Sequence, residues 1–379
     1  MFHTLRALSA VGGVDLVCGR EPPAAEVDLE PLKRLCRSVH IVDVAEPPDP
    51  GAPRSRAAAL QRYVLSPRPT HVAEFPAREL VEVVEPLARD ADLIWTVRLG
   101  LAEWLPSRRD RTIVDLDDFE SVKQAPSLPP RGLRPWHWLL WLDNRRLRRL
   151  ERTSPRRYGL CVVCSEAQRQ FFPARLRARV LVVPNGFPPH LRTHPRRPPV
   201  GSTIVFVGTM DYKPNVDAVT WFVKDVFPSI VRRVPEARLL LVGHDSRHRL
   251  RRLADGHRIV ATGSVADVAP LVAEAAVSVA PIRVGSGTRI KILEALALGV
   301  PVVSTTLGAE GLDLAPGREI LLADAPEDFA AEVVRLLKDR ATRDAMGDAG
   351  RTAVVSVYDW DRIEQRLGDD VRAWLAGRR

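Results

Sequence analysis

The chain of 379 residues is short of cysteine, of aromatic residues and of long apolar segments. Its four cysteines are too few and too scattered for the disulfide framework of a small secreted domain. The longest uncharged segment of its second half, 295–309, is shorter than a membrane-spanning helix and contains glycine and proline. The first twenty residues lack the apolar run of a secretory signal. These absences predict a folded cytoplasmic protein without a transmembrane helix.

Lysine is also scarce, and the basic residues are unevenly placed. Only six of the 56 basic residues are lysines, and the net charge is +9. Residues 1–200 hold 32 Lys and Arg against 23 Asp and Glu, whereas residues 201–379 hold 24 of each. Such an excess in one half is typical of a domain that meets an anionic partner, either a membrane, a nucleic acid or an acidic ligand. An arginine-rich overall composition explains it equally well.

A proline-rich basic segment that ends at Val200 has no regular apolar period and indicates a linker. On both sides of it, short β-branched apolar runs alternate with longer amphipathic runs, which predicts parallel sheets covered by helices. We therefore expect an α/β fold with two doubly wound, Rossmann-like domains that face each other across a cleft. The predicted divisions are a first domain over 1–190, a linker over 191–201, a second domain over 202–355 and a C-terminal helix over 356–379 that packs back on the first domain.

The segment 277–312 carries the most specific chemical pattern. A predicted strand is followed by a loop with two glycines, and a helix begins near Arg289. Glycines let backbone amides approach a ligand closely, and a helix N-terminus adds partial positive charge. The pattern therefore predicts an anion site suited to phosphate groups. A plain turn followed by a solvated helix is the alternative.

Charged side chains surround this loop. Arg283, Arg289 and Lys291 add cations, which favours a diphosphate over a single carboxylate, because several donors act on it at once. Glu294 lies about one turn into the predicted helix, where its carboxylate accepts hydrogen bonds from two neighbouring hydroxyls, as on a ribose. These residue types predict a site for a diphosphate attached to a ribose.

The segment GSGTRIKILEALALGVPVVSTTLGAEGL at 285–312 resembles the donor-binding segment of the retaining, GT-B-fold glycosyltransferases of family 4, the group 1 glycosyltransferases. Segments 204–222, 162–172 and 112–121 are similar to other parts of that family. The resemblance implies a GT-B fold and transfer of a sugar from a nucleotide-diphosphate donor to a saccharide or lipid-linked acceptor, with retention of configuration. It also implies a place in the synthesis of cell-surface polysaccharides or glycoconjugates.

The resemblance implies roles for individual residues. Glu294 matches the family glutamate that binds the nucleotide ribose. Arg289 and Lys291 are the catalytic candidates, because fixed cations stabilise the charge that develops on the departing diphosphate. The further donor-binding candidates are Gly208, Lys213, Arg283, Gly287 and Thr288. The family needs no metal ion, and we expect neither a metal nor another cofactor.

Three features depart from the family pattern. Ser286 stands where the family has a first glutamate that contacts the donor sugar, and serine keeps a single hydroxyl for that purpose. A first-domain histidine of the family is absent, and Arg98 lies in that region. The glycine-rich loop after the first strand is absent as well, since the chain opens with apolar residues at helical spacing over 2–8. We expect the missing first strand to precede Met1 in the natural protein.

The acidic segment at 115–118 follows a predicted strand. It offers a D-x-D pattern, which binds metal in another glycosyltransferase fold, but its place in the first domain argues against that use. Acids at a strand end that cap the next turn are the preferred interpretation. Asp117 and Asp118, together with Arg98, are candidates for contact with the acceptor.

The segment 131–157 interleaves tryptophans with nine arginines. A basic amphipathic surface with indoles is typical of a helix that lies on an anionic bilayer, which would place the protein on the inner face of the membrane. A surface helix that packs its Trp and Leu side chains inward is the alternative.

Two other functions are consistent with the sequence. A nucleotide-sugar epimerase shares the two-domain fold and would convert the donor without an acceptor. A basic module with an inactive donor site, bound to membrane or nucleic acid, is the non-enzymatic alternative. No recognisable nucleic-acid motif supports the latter beyond charge, so we expect no nucleic-acid partner.

Overall fold

The structure of the protein, a computed structural model, divides into two units. One unit comprises residues 1–183 together with 364–379, and the other comprises residues 184–363. The described residues are 2–20, 28–44, 66, 68–73, 75, 78–105, 108–125, 128, 135–195, 197–245, 249–285 and 287–378. The predicted linker at 191–201 lies in the second unit and includes part of the 3-10 helix Pro189–Thr193.

The strands described in the first unit pair in parallel. They are β1 (Asp15–Arg20), β2 (Ser38–Asp43), β3 (Ile94–Val97), β4 (Thr112–Asp115), β5 (Leu160–Val163) and β6 (Val180–Val182). β1 pairs with β2, and the other four form a sheet in the order β3-β4-β5-β6. Because neighbouring strands are parallel, their carboxyl ends lie at one edge of this sheet.

Helices connect these strands. They are α1 (Phe2–Ser9), α2 (Glu30–Lys33), α3 (Thr70–Ala73), α4 (Arg78–Asp90), α5 (Leu99–Trp104), α6 (Glu120–Gln124), α7 (Pro135–Thr153) and α8 (Glu166–Arg169). The helical spacing expected at the start of the chain is confirmed by α1, which buries Leu5 and Ala7. None of the helices that the structure describes combines the length and the apolarity needed to cross a bilayer.

The second unit contains one larger sheet. Its strands are β7 (Thr203–Val207), β8 (Arg238–Val242), β9 (Ile259–Gly263), β10 (Val277–Ala280), β11 (Val302–Ser304) and β12 (Leu321–Leu322). All pairs are parallel, and the order is β12-β11-β10-β7-β8-β9. The central strands β10 and β11 are buried at every position, as expected for strands covered on both faces.

Helices of the second unit follow the strands in alternation. They are α9 (Lys213–Trp221), which continues through a π-helical turn (Phe222–Val226) into α10 (Phe227–Arg233), then α11 (Ala269–Ala273), α12 (Ile290–Ala297), α13 (Pro326–Lys338), α14 (Arg340–Val357) and α15 (Trp360–Ala376). Alternate residues of β7 face different cores, since Phe206 packs in one apolar cluster and Val205 in another. The sheet is therefore covered on both faces, which confirms the predicted doubly wound arrangement of this unit.

The strand order sets the place for a ligand. β7 lies between β8, the next strand in sequence, and β10, so the connections leave in opposite directions on its two sides. In open α/β sheets ligands bind at the carboxyl ends of the strands where the order reverses. This switch point lies between the loops that follow β7 and β10.

The last helix, α15, begins in the second unit, and its residues from Glu364 onward belong to the first. There Leu367 and Val371 pack with Ala7 of α1. His3 Nδ1 lies 2.6 Å from a carboxylate oxygen of Glu364. These contacts join the chain's two ends within the first unit.

Candidate functional site

Two loops of the second unit meet at the switch point. The loop after β7 ends at Tyr212, Pro214 lies in the first turn of α9, and the loop after β10 contains Gly285. A Cβ atom on Gly285 would lie 3.3 Å from Pro214 Cγ and 3.4 Å from the Tyr212 hydroxyl. Gly285 also has a φ of +105°, which favours glycine. The close approach of the two loops therefore depends on the glycine at this position.

Gly208 directly follows β7 and lies in a more crowded place. A Cβ atom there would lie 2.9 Å from Lys291 Nζ and 2.7 Å from Asn215 Nδ2. On the other side, a Cβ on Gly243 would overlap the carbonyl oxygen of Gly208. A side chain at position 208 would thus occupy the space in which the lysine ammonium lies.

The loop before α12 leads directly into the N-terminus of that helix. Gly287 adopts a φ of +85°, and its carbonyl oxygen accepts a hydrogen bond of 2.7 Å from Arg289 Nη1. The helix begins at Ile290, within one residue of the predicted start, so Thr288 and Arg289 lie immediately before its N-terminus. The partial positive charge of a helix N-terminus favours anions at this place. Ser286 lies outside the described residues.

Lys291 extends from α12 across the end of β7. Its ammonium donates a hydrogen bond of 2.8 Å to Asn215 Oδ1 and lies 4.1 Å from the centre of the Phe206 ring. Burial, with the positive charge of Arg289 beside it, lowers the pKa of Lys291 to about 7, and Glu294 opposes that shift. An ammonium in this environment gains from a ligand that carries negative charge.

Glu294 follows one turn later on α12 and is half-buried. Burial raises the pKa of its carboxyl group, while the nearby Lys291 lowers it. A half-buried carboxylate can accept hydrogen bonds from ligand hydroxyls at lower desolvation cost than a fully exposed one. Its place beside the cations agrees with the predicted contact to a ribose, which stays a prediction.

Two further predicted cations lie at the helix after β7. Arg283 forms a bidentate ion pair with Asp217 on α9, with nitrogen–oxygen distances of 2.7 and 3.1 Å, and lies over the Trp221 ring. A carboxylate therefore already balances its charge. Lys213 is the exposed first residue of α9.

The segment after β11 supports the start of the β10 loop. The Thr305 hydroxyl donates a hydrogen bond to the Ile282 carbonyl and accepts one of 2.9 Å from the Gly308 amide. The Ser304 hydroxyl donates to the Ala280 carbonyl at 3.0 Å. These buried hydroxyls fix the exit of β10 and hence the origin of the glycine loop.

Sequence reasoning did not identify Asn215 as part of this site. Asn215 lies in the first turn of α9, two residues after Lys213, and contacts Lys291. His244 follows β8 and contacts both Asp211, at 3.3 Å, and the Ser264 hydroxyl, at 3.1 Å. Asn215 lies inside α9, eight residues after the end of β7, so no short motif in the sequence links it to Lys291.

Arg98 of the first unit has an unusual backbone. It is exposed at the end of β3, and its φ and ψ are 72° and 142°. Its amide donates a hydrogen bond of 2.9 Å to the Asp115 carbonyl at the end of β4. Such a conformation is rare outside glycine, and strain of this kind is typical of functional sites.

The predicted acceptor-side acids lie at the same sheet edge as Arg98. Asp117 is exposed and Asp118 is half-buried, directly after β4. Desolvation, with Asp117 nearby, raises the pKa of Asp115 to about 7. Within the described part of the chain, no three His, Cys, Asp or Glu side chains form a group that would hold a metal ion. The edge therefore gathers one arginine and three acids.

Part of the second unit matches a known protein family. Residues 201–339 match the family described as glycosyl transferases group 1. This range contains β7, β10 and α12, and thus both loops of the site.

Curated relatives match parts of the chain. Phosphatidyl-myo-inositol mannosyltransferase of Mycobacterium tuberculosis is 28% identical over 223 residues, which are 54% of this chain and 57% of that protein. A GDP-mannose-dependent alpha-(1-6)-phosphatidylinositol monomannoside mannosyltransferase of the same organism is 35% identical over 166 residues, 40% of this chain and 43% of that protein. The chain thus spans about half the length of the curated relatives it matches.

Solved structures match nearly the whole chain. Sucrose-phosphate synthase of Thermosynechococcus elongatus has a TM-score of 0.67 at 19% identity, covering 99% of this chain and 92% of that one. HepE of Anabaena, solved in complex with UDP and glucose, has a TM-score of 0.62 at 16% identity, covering 98% and 94%. The chain has the fold of these proteins, which confirms the predicted α/β fold with two Rossmann-like domains.

Proposed function

We propose that the protein transfers a sugar from a nucleotide-diphosphate donor to a saccharide or lipid-linked acceptor. The match of residues 201–339 to the group 1 glycosyl transferases supports this proposal. The observation that carries the proposal is the convergence of Lys291 and Arg289 with a glycine loop at the switch point of the second unit. This arrangement suits a diphosphate, which uses two cations and several amides at once.

The chemistry follows from the charge that moves during transfer. As the bond between the anomeric carbon and the diphosphate breaks, negative charge grows on the leaving diphosphate. Cations that are already in place stabilise that charge without reorganisation. We assign this role to Arg289 and Lys291, and the ribose contact to Glu294. Because the cations come from the protein, the proposed reaction needs no metal ion, and transfer with retention of configuration is part of the proposal.

The relatives suggest which donors to test first. One M. tuberculosis relative is named as GDP-mannose-dependent, and HepE of Anabaena was solved with UDP and glucose. We propose GDP-mannose and UDP-glucose as the first donors. The M. tuberculosis mannosyltransferases are named for phosphatidylinositol acceptors, which supports a lipid-linked acceptor in glycoconjugate synthesis.

The surface of α7 supports a membrane location. Trp138 and Leu142 on this helix are 50% and 53% exposed. Arg145 and Arg149 continue the same face at helical spacing and are exposed. An exposed indole and leucine beside arginines suit the headgroup region of an anionic bilayer. We propose peripheral attachment to the inner face of the cytoplasmic membrane, with no nucleic-acid partner. Residues 131–134 of the predicted segment lie outside the described residues.

A transfer assay tests the proposal. The purified protein is incubated with radiolabelled GDP-mannose or UDP-glucose and a bacterial lipid extract, with and without a metal chelator, and label is followed in donor and products. We expect label in a lipid or saccharide product in the presence of chelator, and none with Lys291→Met. Epimerised donor without transfer would support the epimerase, and unchanged donor under all conditions would contradict the proposal.

A further inference from the structure

Lys291 is held by three elements of the second unit. It extends from α12, its ammonium lies over the Phe206 ring of β7, and it donates a hydrogen bond to Asn215 of α9. Gly208 leaves the space that the ammonium fills. A lysine side chain has several rotatable bonds, so confinement of this kind needs a specific partner.

Asn215 is suited to be that partner. The residue is only 7% exposed. The Nδ2 group donates a hydrogen bond of 2.8 Å to the Thr209 carbonyl, so the Oδ1 atom faces Lys291. The reverse amide orientation would set a donor against the ammonium and an oxygen against the carbonyl. The loop after β7 therefore fixes which end of the amide meets the lysine.

The Asn215 amide is neutral, so it leaves the charge of Lys291 available to a ligand. The hydrogen bond to the amide and the ring contact orient the ammonium without cancelling its charge. The charged side chains that act on Lys291 are Arg289, which lies on its own segment, and Glu294 on α12. An aspartate at position 215 would instead pair with the ammonium and compete with an incoming anion.

We propose that Asn215 is the positioning residue that holds the Lys291 side chain in the free protein, so that a nucleoside diphosphate meets a lysine amine already in place. This inference rests on the proposed function, because the diphosphate is the ligand that the lysine serves. Asn215 acts through Lys291 and does not itself contact the diphosphate.

A double-mutant cycle separates this role from a purely structural one. Asn215→Ala, Lys291→Met and the double variant are titrated with GDP and with UDP by calorimetry. If Asn215 acts through the lysine, Asn215→Ala weakens binding of the preferred nucleotide about tenfold, the size expected for a hydrogen bond to a charged group. In the Lys291→Met background the same change then has no further effect.

Two further variants separate a general loss of stability from the loss of the contact with Lys291. Asn144→Ala removes a comparably buried amide that donates to the Ser121 carbonyl in the first unit, and it should lower stability without changing nucleotide affinity. If Asn215→Ala does not fold, Asn215→Ser replaces it in the cycle, because serine keeps a polar group in the turn but is one bond too short to reach Lys291.

The outcomes distinguish the inference from the function on which it rests. A cycle in which Asn215→Ala weakens binding equally with and without the lysine would show that Asn215 only shapes the turn, and would overturn the inference alone. An unchanged affinity in Asn215→Ala would do the same. A wild-type protein that binds neither GDP nor UDP would overturn the inference together with the proposed function.

Discussion

The ammonium of Lys291 lies beside Gly208, where an added Cβ would come within 2.9 Å of Nζ. The residues are 83 positions apart in the sequence, and the parallel pairing of β7 with β10 brings their segments together. The lysine position therefore depends on the absence of a side chain at the end of β7.

Gly208→Ala should displace the lysine and Asn215. We expect nucleotide affinity to fall about tenfold and the free energy of unfolding to fall by about 1–3 kcal/mol, as for an overpacked site. Gly12→Ala is the matched control, because no atom lies within 4 Å of a Cβ at that position. Calorimetry and urea unfolding measure both effects, and an alanine variant with wild-type affinity would argue against the assigned lysine position.

Glu294→Gln tests the ribose contact. The amide keeps the size of the side chain and one acceptor but loses the charge, so we expect nucleotide affinity to fall several-fold while the thermal transition stays close to that of the wild type. Deoxyribose analogues of the same nucleotides should lose less affinity on this substitution than the ribose forms. Equal losses for both sugars would exclude the hydroxyls as the partners of Glu294.

The pH dependence of nucleotide binding follows from Lys291. Its pKa is lowered to about 7 in the free protein, and a bound diphosphate raises it again because the negative charge favours the ammonium. Binding above pH 7 therefore takes up a proton, and affinity should decrease as pH rises from 7 toward the pKa of the complex, by up to about tenfold per unit.

Calorimetry in buffers of different ionisation enthalpy measures this proton uptake directly. Lys291→Met should abolish the uptake, which separates the lysine from its charged neighbours Arg289 and Glu294. An affinity that stays constant between pH 7 and 9 in the wild type would be inconsistent with the lysine titrating at the ligand.

Arg98→Gly should stabilise the first unit. The arginine backbone conformation costs about 1–3 kcal/mol, whereas the greater freedom of an unfolded glycine costs about 0.4–1 kcal/mol, so we expect a net gain near 1 kcal/mol in urea unfolding. Arg108→Gly is the comparison, since Arg108 lies in the ordinary left-handed region at φ 66° and ψ 30°, and its gain should be smaller.

The same variant also tests function. If Arg98 contacts the acceptor, Arg98→Gly raises the acceptor KM while leaving nucleotide affinity unchanged. A variant that is more stable and fully active would show that Arg98 does not contact the acceptor. A less stable variant would contradict the proposed strain in the Arg98 backbone.

Local patterns predicted much of this molecule. The apolar β-branched runs became parallel strands because both of their faces are buried, and the glycines at 285 and 287 adopt positive φ before a helix that starts one residue after the predicted position. Propensity, burial and turn chemistry act over a few residues, and a sequence shows them directly. The family resemblance added the donor-site roles, which stay predictions.

Contacts between distant segments were not visible in the sequence. Asn215 meets a lysine 76 residues away, and Arg283 pairs with Asp217 across 66 residues. Both contacts arise because strand order places the loops after β7 and β10 side by side, and side-chain identity alone does not show which residues will meet. The strained backbone of Arg98 likewise has no signature in its residue type.

The most direct test of the central claim compares diphosphate with monophosphate. Wild-type protein and Lys291→Met are titrated by calorimetry with GDP and GMP, and with UDP and UMP. If the loops after β7 and β10 bind the diphosphate, the wild type binds at least one diphosphate more than about tenfold tighter than its monophosphate, and Lys291→Met loses most of that preference. Equal affinity for diphosphate and monophosphate, or a preference for the diphosphate that survives in Lys291→Met, would contradict the claim that these loops and Lys291 bind the diphosphate.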